Sequence, residues 1–226
     1  MRNILLIAAT EAEIAPLIKF ISTSWQCVEA GIFQINELKL HVQVCGIGML
    51  ATAYHLTKKL NEGKYDLVVQ AGVGGSYDRS IDLGSIVWVK KEQLGDLRVE
   101  DNEDYLDVFD IGLIKKNEYP FTNKMLPNPY SSKDLGVKDL EAVDAVTVNT
   151  VTGKQATIDY MNAKYNVATE SMEGAALHYI CLQEKVMFLQ IRGISNYVEP
   201  RNRDSWKMED AIANMNKYLI KYFINI

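Results

Sequence analysis

Apolar residues run without interruption from Ile4 to Ala9, and an unbroken run of this kind predicts a strand buried on both faces. Leu38, Leu40, Val42 and Val44 alternate with polar neighbours, the period of a half-buried strand. Leu67-Val68-Val69 and the stretch from Val186 to Ile191 predict two more buried strands, and Ser85 to Val89 and Ala145 to Val148 two others. Helical spacing covers Met49 to Leu60, Lys154 to Met161, Met172 to Gln183 and Ser205 to Phe223. Strands alternating with helices predict an α/β fold, one domain over 1–226 around a largely parallel central sheet. Residues 92–135 break the pattern. They are acid-rich, Pro120, Pro127 and Pro129 crowd a short loop, and an irregular excursion is expected there rather than a second domain.

Charge and composition narrow the partners. The formal net charge is -5 over 226 residues, which argues against nucleic acid, whose phosphates call for clustered Lys and Arg. Cys27, Cys45 and Cys181 lie far apart, as do His41, His55 and His178. Reduced thiols are expected, with no metal site and no cofactor. Glu11 and Glu13 follow the first apolar run at once, unlike a signal peptide, and no apolar run approaches bilayer length. A cytoplasmic protein without a membrane partner is expected.

Polar residues at strand ends and helix starts carry the candidate chemistry, because α/β folds build small-molecule sites there. Thr10-Glu11-Ala12-Glu13 follows the first strand. It reads either as a capped helix start or as a carboxylate facing a crevice. Gly46-Ile47-Gly48 and Gly72-Val73-Gly74-Gly75 each follow a strand, as tight turns or as backbone brought close to a ligand. Neither fits a dinucleotide or nucleoside-triphosphate loop. Met172-Glu173 precedes the small residues Gly174, Ala175 and Ala176; the acid reads either as structural, favoured by the dipole at a helix start, or as partly buried against that packing and obliged to find donors. Arg192-Gly193-Ile194-Ser195-Asn196 places an amide just past the last predicted strand.

Taken in order, these segments resemble the nucleoside phosphorylase and nucleosidase superfamily over nearly the whole chain. They look most like methylthioadenosine/S-adenosylhomocysteine nucleosidases and futalosine hydrolases. Ala9-Thr10-Glu11-Ala12-Glu13 resembles the opening whose last acid orients the attacking water, and Gly72-Val73-Gly74-Gly75 the glycine segment beside the ribose. Ser171-Met172-Glu173 is similar to the pair whose glutamate holds the ribose hydroxyls, and Arg192 to Asn196 to the Arg-x-Ile-Ser-Asp motif at the purine. The phosphorylases' Gly-Asp-Pro-Gly-Arg phosphate loop is missing, and Glu13 stands at the first strand end instead. A carboxylate there repels phosphate and activates water. Asn196 stands where adenine-cleaving nucleosidases carry Asp. An amide donates without being a general acid, which points to hypoxanthine as the leaving base. The stretch Tyr197 to Arg203 looks like futalosine hydrolases in particular.

The resemblance implies a three-layer α/β sandwich, phosphorylase-like, around a mixed, largely parallel sheet. It implies an N-glycosyl hydrolase taking futalosine, on an alternative route to menaquinone, with Glu13, Glu173 and Asn196 catalytic and a homo-oligomer, preferably a dimer. Substrate contacts are expected from Thr10, Gly72, Gly74, Met172 and Arg192, the last either orienting the polar end of the site or forming a structural ion pair. Arg201 and Arg203 either meet the carboxylate of the substrate's 5′ extension or pair with Glu199 and Asp204 at the surface. The alternatives are a methylthioadenosine/S-adenosylhomocysteine nucleosidase, a purine nucleoside phosphorylase, and a nucleoside-binding protein without turnover.

Overall fold

The computed structural model describes residues 1–101 and 104–226. In chain order the elements are β1 (Arg2–Ala8), α1 (Glu11–Ser24), β2 (Gln26–Glu29), β3 (Ile32–Ile35), β4 (Leu38–Val44), α2 (Met49–Glu62), β5 (Leu67–Ser76) and β6 (Ile86–Leu94). Then come β7 (Arg98–Asp101), β8 (Asp104–Asp107), β9 (Leu126–Pro127), β10 (Glu141–Thr147), α3 (Gln155–Tyr165), β11 (Thr169–Ser171), α4 (Gly174–Glu184), β12 (Phe188–Tyr197) and α5 (Met208–Asn225).

The main sheet runs β11-β10-β6-β12-β5-β1-β4-β3-β2, with β9 on β6. It is mixed: β1 lies parallel to β4 and β5, and β12 to β5, while β12 and β6 are antiparallel. β11 also pairs with β5, so β5, β12, β6, β10 and β11 close on themselves.

The unbroken apolar run of β1 serves both faces. Ile4, Leu6 and Ala8 pack with Ile14 and Leu17 of α1 and with Met215 and Leu219 of α5. Leu5 and Ile7 pack on the other side with Leu56 of α2 and Leu177 and Cys181 of α4. Two helix layers thus cover the sheet, the arrangement that makes a parallel strand apolar throughout.

Several expectations from the sequence shift. β12 extends to Tyr197, so the segment 192–196 lies inside the strand rather than past it. Gly72 to Gly75 likewise belong to β5, and none of them has positive φ, whereas Gly46 and Gly48 do, at 94° and 90°. β11, Thr169-Glu170-Ser171 between α3 and α4, has no apolar residue and is too short to signal a strand. Glu92 to Leu94 complete β6, and the excursion beyond carries the antiparallel pair β7 and β8 and the short β9. The last two helices begin later than their spacing suggests, at Gly174 and Met208, with one short 3-10 turn at Arg203–Ser205.

Candidate active site

Four sheet strands bring their carboxyl ends to one cavity of about 390 Å³, within the roughly 300–1,000 Å³ common for ligand pockets. Thr10, Glu13, Gly74, Met172, Glu173 and Asn196 all line it, with Glu170, Ser195 and Trp206. The two predicted catalytic carboxylates and the amide, far apart in sequence, therefore share one cleft. Gly72 and Arg192 are not among the lining residues and lie beneath it.

Glu13 enters from the first turn of α1 and is buried. Its Oε2 accepts from the Thr10 backbone N–H at 2.9 Å and from the Thr10 hydroxyl at 3.0 Å. Its Oε1 accepts from the Val73 N–H at 3.0 Å. Both readings of Thr10-Glu11-Ala12-Glu13 hold together: the capping contact that starts α1 also fixes the carboxylate at the cavity wall.

Glu173 is the residue just before α4, where the helix dipole favours its charge. Its Oε1 accepts from the Gly48 N–H at 3.0 Å, and its Oε2 meets Arg192 Nη1 at 3.3 Å. Gly48 is able to present that N–H because its φ of 90° turns the chain before α2. Arg192 is 2% exposed and also donates to Gln70 Oε1 at 2.8 Å. Of its two readings, the ion pair is the one formed, and it reaches the cavity through Glu173. Gly72 leaves room for it: a Cβ there would sit 2.5 Å from Arg192 Nη1 and 2.9 Å from Glu13 Oε1. That glycine is needed for close packing, not for a turn.

A second buried layer fixes the start of α4. The Ala175 N–H donates to Thr147 Oγ1 at 2.8 Å, Thr147 Oγ1 donates to Glu92 Oε2 at 2.9 Å, and Gln190 Nε2 donates to Glu92 Oε1 at 2.8 Å. A Cβ on Gly174 would come within 1.8 Å of Glu92 Oε1, so only glycine follows Glu173 here. Burial pushes the Glu92 carboxyl up to about 7, against hydrogen bonds and the Arg192 charge that pull it down. Burial also pushes the nearby Cys45 thiol up to about 12, with the Glu173 charge adding to the effect. The thiol stays neutral and is no nucleophile.

Asn196 sits at a bulge where β12 departs from its register with β5. Its Oδ1 accepts from the Ser195 hydroxyl at 2.9 Å, and its Nδ2 donates to the Tyr197 carbonyl at 2.9 Å. A carbonyl only accepts, so this contact orients the amide and leaves its second N–H for the cavity. Ser195 was missed as a functional residue. Its place as the Ser of the Arg192 to Asn196 motif was the visible signal.

Arg201 and Arg203 are exposed and make no ion pair among the described residues. Glu199, the suggested partner, pairs instead with Arg79 at 2.6 Å. The Arg201 guanidinium lies 5.7 Å over the ring of Trp206, which lines the cavity. Arg203 borders an adjoining groove that shares Trp206 and Met208 with the cavity. Among the described residues no group of three His, Cys, Asp or Glu side chains is placed to hold a metal ion. No described helix is long and apolar enough to cross a membrane.

Fold and cavity define an α/β protein with a small-molecule site at the strands' carboxyl ends, walled by carboxylates. Residues 3–223 match the phosphorylase superfamily, and the chain belongs to it. A futalosine hydrolase of Streptomyces coelicolor is 30% identical over 66% of this chain and 61% of its own length. A 5′-methylthioadenosine/S-adenosylhomocysteine nucleosidase of Colwellia psychrerythraea is 25% identical over 95% of this chain and 93% of its own. Among solved structures, a futalosine hydrolase mutant of Helicobacter pylori superposes with a TM-score of 0.79 over 100% of both chains at 14% identity, a likeness of fold.

Proposed function

We propose that this chain hydrolyses the N-glycosidic bond of futalosine, releasing hypoxanthine and dehypoxanthine futalosine. It is an N-glycosyl hydrolase of the purine nucleosidase type. The observation that carries this reading is the convergence of Glu13, Glu173 and Asn196 on one cavity whose lining includes no lysine or arginine. A phosphate dianion would face carboxylates with no lysine or arginine in the lining, whereas water needs only a base to take its proton. Glu13, held at both oxygens, directs a water at the anomeric carbon and takes its proton. Glu173 holds the 2′- and 3′-hydroxyls and favours the positive charge that develops on the ribose as the bond loosens. Asn196 gives its free N–H to N7 or O6 of the departing base and spreads the negative charge left there. Thr10 fixes the base catalyst, Gly74 and Met172 frame the sugar, and Arg192 sets Glu173 from below.

The 5′ side of the substrate meets an apolar wall that includes Ile47, Val151, Met208 and Ile212. Arg201 and Arg203, at the rim beyond Trp206, are the cations offered to its distal carboxylate. The chain works as a single domain and assembles as a homo-oligomer, a dimer by preference. Exposed Leu50 and Tyr54 on α2 and Tyr179 on α4 support that assembly.

A nucleosidase for methylthioadenosine is the second reading, favoured by the near full-length relative from Colwellia and by the same apolar wall. Purified protein given futalosine and 5′-methylthioadenosine separately, in phosphate-free buffer, decides between them. The proposal expects kcat/KM for futalosine at least tenfold higher, with hypoxanthine as the released base. Faster adenine release from the thioether substrate overturns it.

A further inference from the structure

Glu170 is 5% exposed, lines the cavity, and has no part in the chemistry above. Its Oε1 accepts from the Thr152 N–H at 2.9 Å. Its Oε2 accepts from the Thr152 hydroxyl and from the Tyr77 hydroxyl, the latter at 2.6 Å. Burial, then the Glu170 charge, push the Tyr77 hydroxyl up, so it remains a donor. Three donors occupy a group with about four acceptor positions, and one position is left over.

Its place in the sheet says what that position faces. β5 runs between β12 and β11, and Gly75 of β5 is the register partner of Asn196 on one side and of Glu170 on the other. Asn196, Gly75 and Glu170 therefore form one row across three strands. Two strand spacings, roughly 10 Å, separate the outer Cα atoms, and the middle residue has no side chain. Glycine is needed there, since a Cβ on Gly75 would lie 3.0 Å from Val198 Cγ2 and 3.2 Å from Asn196 Nδ2. One end of this row is an amide donor and the other an acceptor-only carboxylate.

We infer that Glu170 is a specificity-determining residue that accepts the N1–H of a 6-oxopurine. This deepens the hydrolase reading and rests on it. A 6-oxopurine presents N7, then O6, then N1–H along one edge: two acceptors followed by a donor. Asn196 matches the acceptors and Glu170 the donor. Adenine presents N7, then an amino donor, then a bare N1 acceptor, so its N1 lone pair would face a carboxylate oxygen. A site built to hydrogen-bond one pattern rejects the other because buried groups are left unpaired.

Calorimetric titration with the free bases tests this. Wild-type protein should bind hypoxanthine more tightly than adenine. In Glu170→Gln, an isosteric change able to donate to N1 of adenine, that preference should fall about ten- to a hundredfold, the span of one charge-assisted hydrogen bond. Adenine affinity should hold or rise, which also reports an intact pocket. A second titration needs no variant: 1-methylhypoxanthine, which lacks N1–H, should bind wild type at least tenfold more weakly than hypoxanthine. A wild-type preference for hypoxanthine that survives Glu170→Gln, or equal binding of the methylated base, overturns the role of Glu170 and leaves the hydrolase reading standing. A wild-type preference for adenine strikes the futalosine reading itself.

Discussion

Glu13 has both carboxylate oxygens engaged by protein donors before any substrate enters. This arrangement sets its direction at little further entropic cost and makes it sensitive to the smallest substitution. In Glu13→Gln the amide nitrogen must face either the Val73 N–H or the Thr10 donors, and it has lost the ability to take a proton. Hydrolysis should fall by roughly 10²–10⁴, the usual range for a general base. Hypoxanthine affinity should stay within a few-fold of wild type, because the proposed base contacts lie at Asn196 and Glu170. Single-turnover kinetics beside equilibrium binding separates the two quantities, and a variant as fast as wild type would remove Glu13 from the mechanism. Glu13, Glu173 and Asn196 were legible in the sequence because each lies beside a strand end or helix start that patterning reveals. Glu170 was not, and for Arg192 the sequence left two readings open without naming a partner, since the surroundings of both come from afar. Thr152 reaches Glu170 across 18 residues, and Gln70 reaches Arg192 across 122.

Three elements, β6, α4 and β12, meet beneath the cavity and bury Glu92, His178 and Gln190 together. The sequence hid Glu92, because Lys90-Lys91-Glu92-Gln93 resembles an exposed stretch although the strand runs on through it. Burial raises the Glu92 carboxyl from 4.5 to about 7 and lowers the His178 imidazole from 6.5 to about 4. Between pH 4.5 and about 7 the folded state holds a proton on Glu92 that the unfolded chain has released, so this group makes stability fall as pH rises. Between about 4 and 6.5 the unfolded chain holds a proton on His178 that the folded state excludes, so stability rises with pH. The two slopes oppose each other over most of their windows. Glu92→Gln removes the first and should leave melting temperature climbing more steeply between pH 4 and 6.5 than in wild type. Parallel pH profiles for the two proteins would contradict the assignment. His178 Nδ1 donates to the Leu126 carbonyl at 2.8 Å, which ties β9 to the same layer. Patterning placed the helices within a few residues, but it left the glycines of β5 open between a tight turn and a close approach to a ligand, and did not place them inside the strand. The packing of Arg192 and Glu13 against Gly72, and of Val198 and Asn196 against Gly75, shows why this strand carries glycine there.

At the scale of the whole molecule, the alternation of apolar runs and helical spacings was enough to give the α/β class and the two covered faces of the sheet. The closure of β11 onto β5 was not legible. It depends on a three-residue strand whose partners are chosen by register rather than by pattern. That closure puts Glu170 opposite Asn196 and gives the cavity its second wall. Among the described residues, the lining of this cavity presents carboxylates, one amide and no lysine or arginine, a composition suited to attack by water. The most direct test is to let the protein turn over futalosine in ¹⁸O-labelled water, with and without inorganic phosphate. The account predicts one labelled oxygen on the anomeric carbon of the released sugar and a rate indifferent to phosphate. A sugar 1-phosphate, or turnover that stops when phosphate is withdrawn, would contradict it.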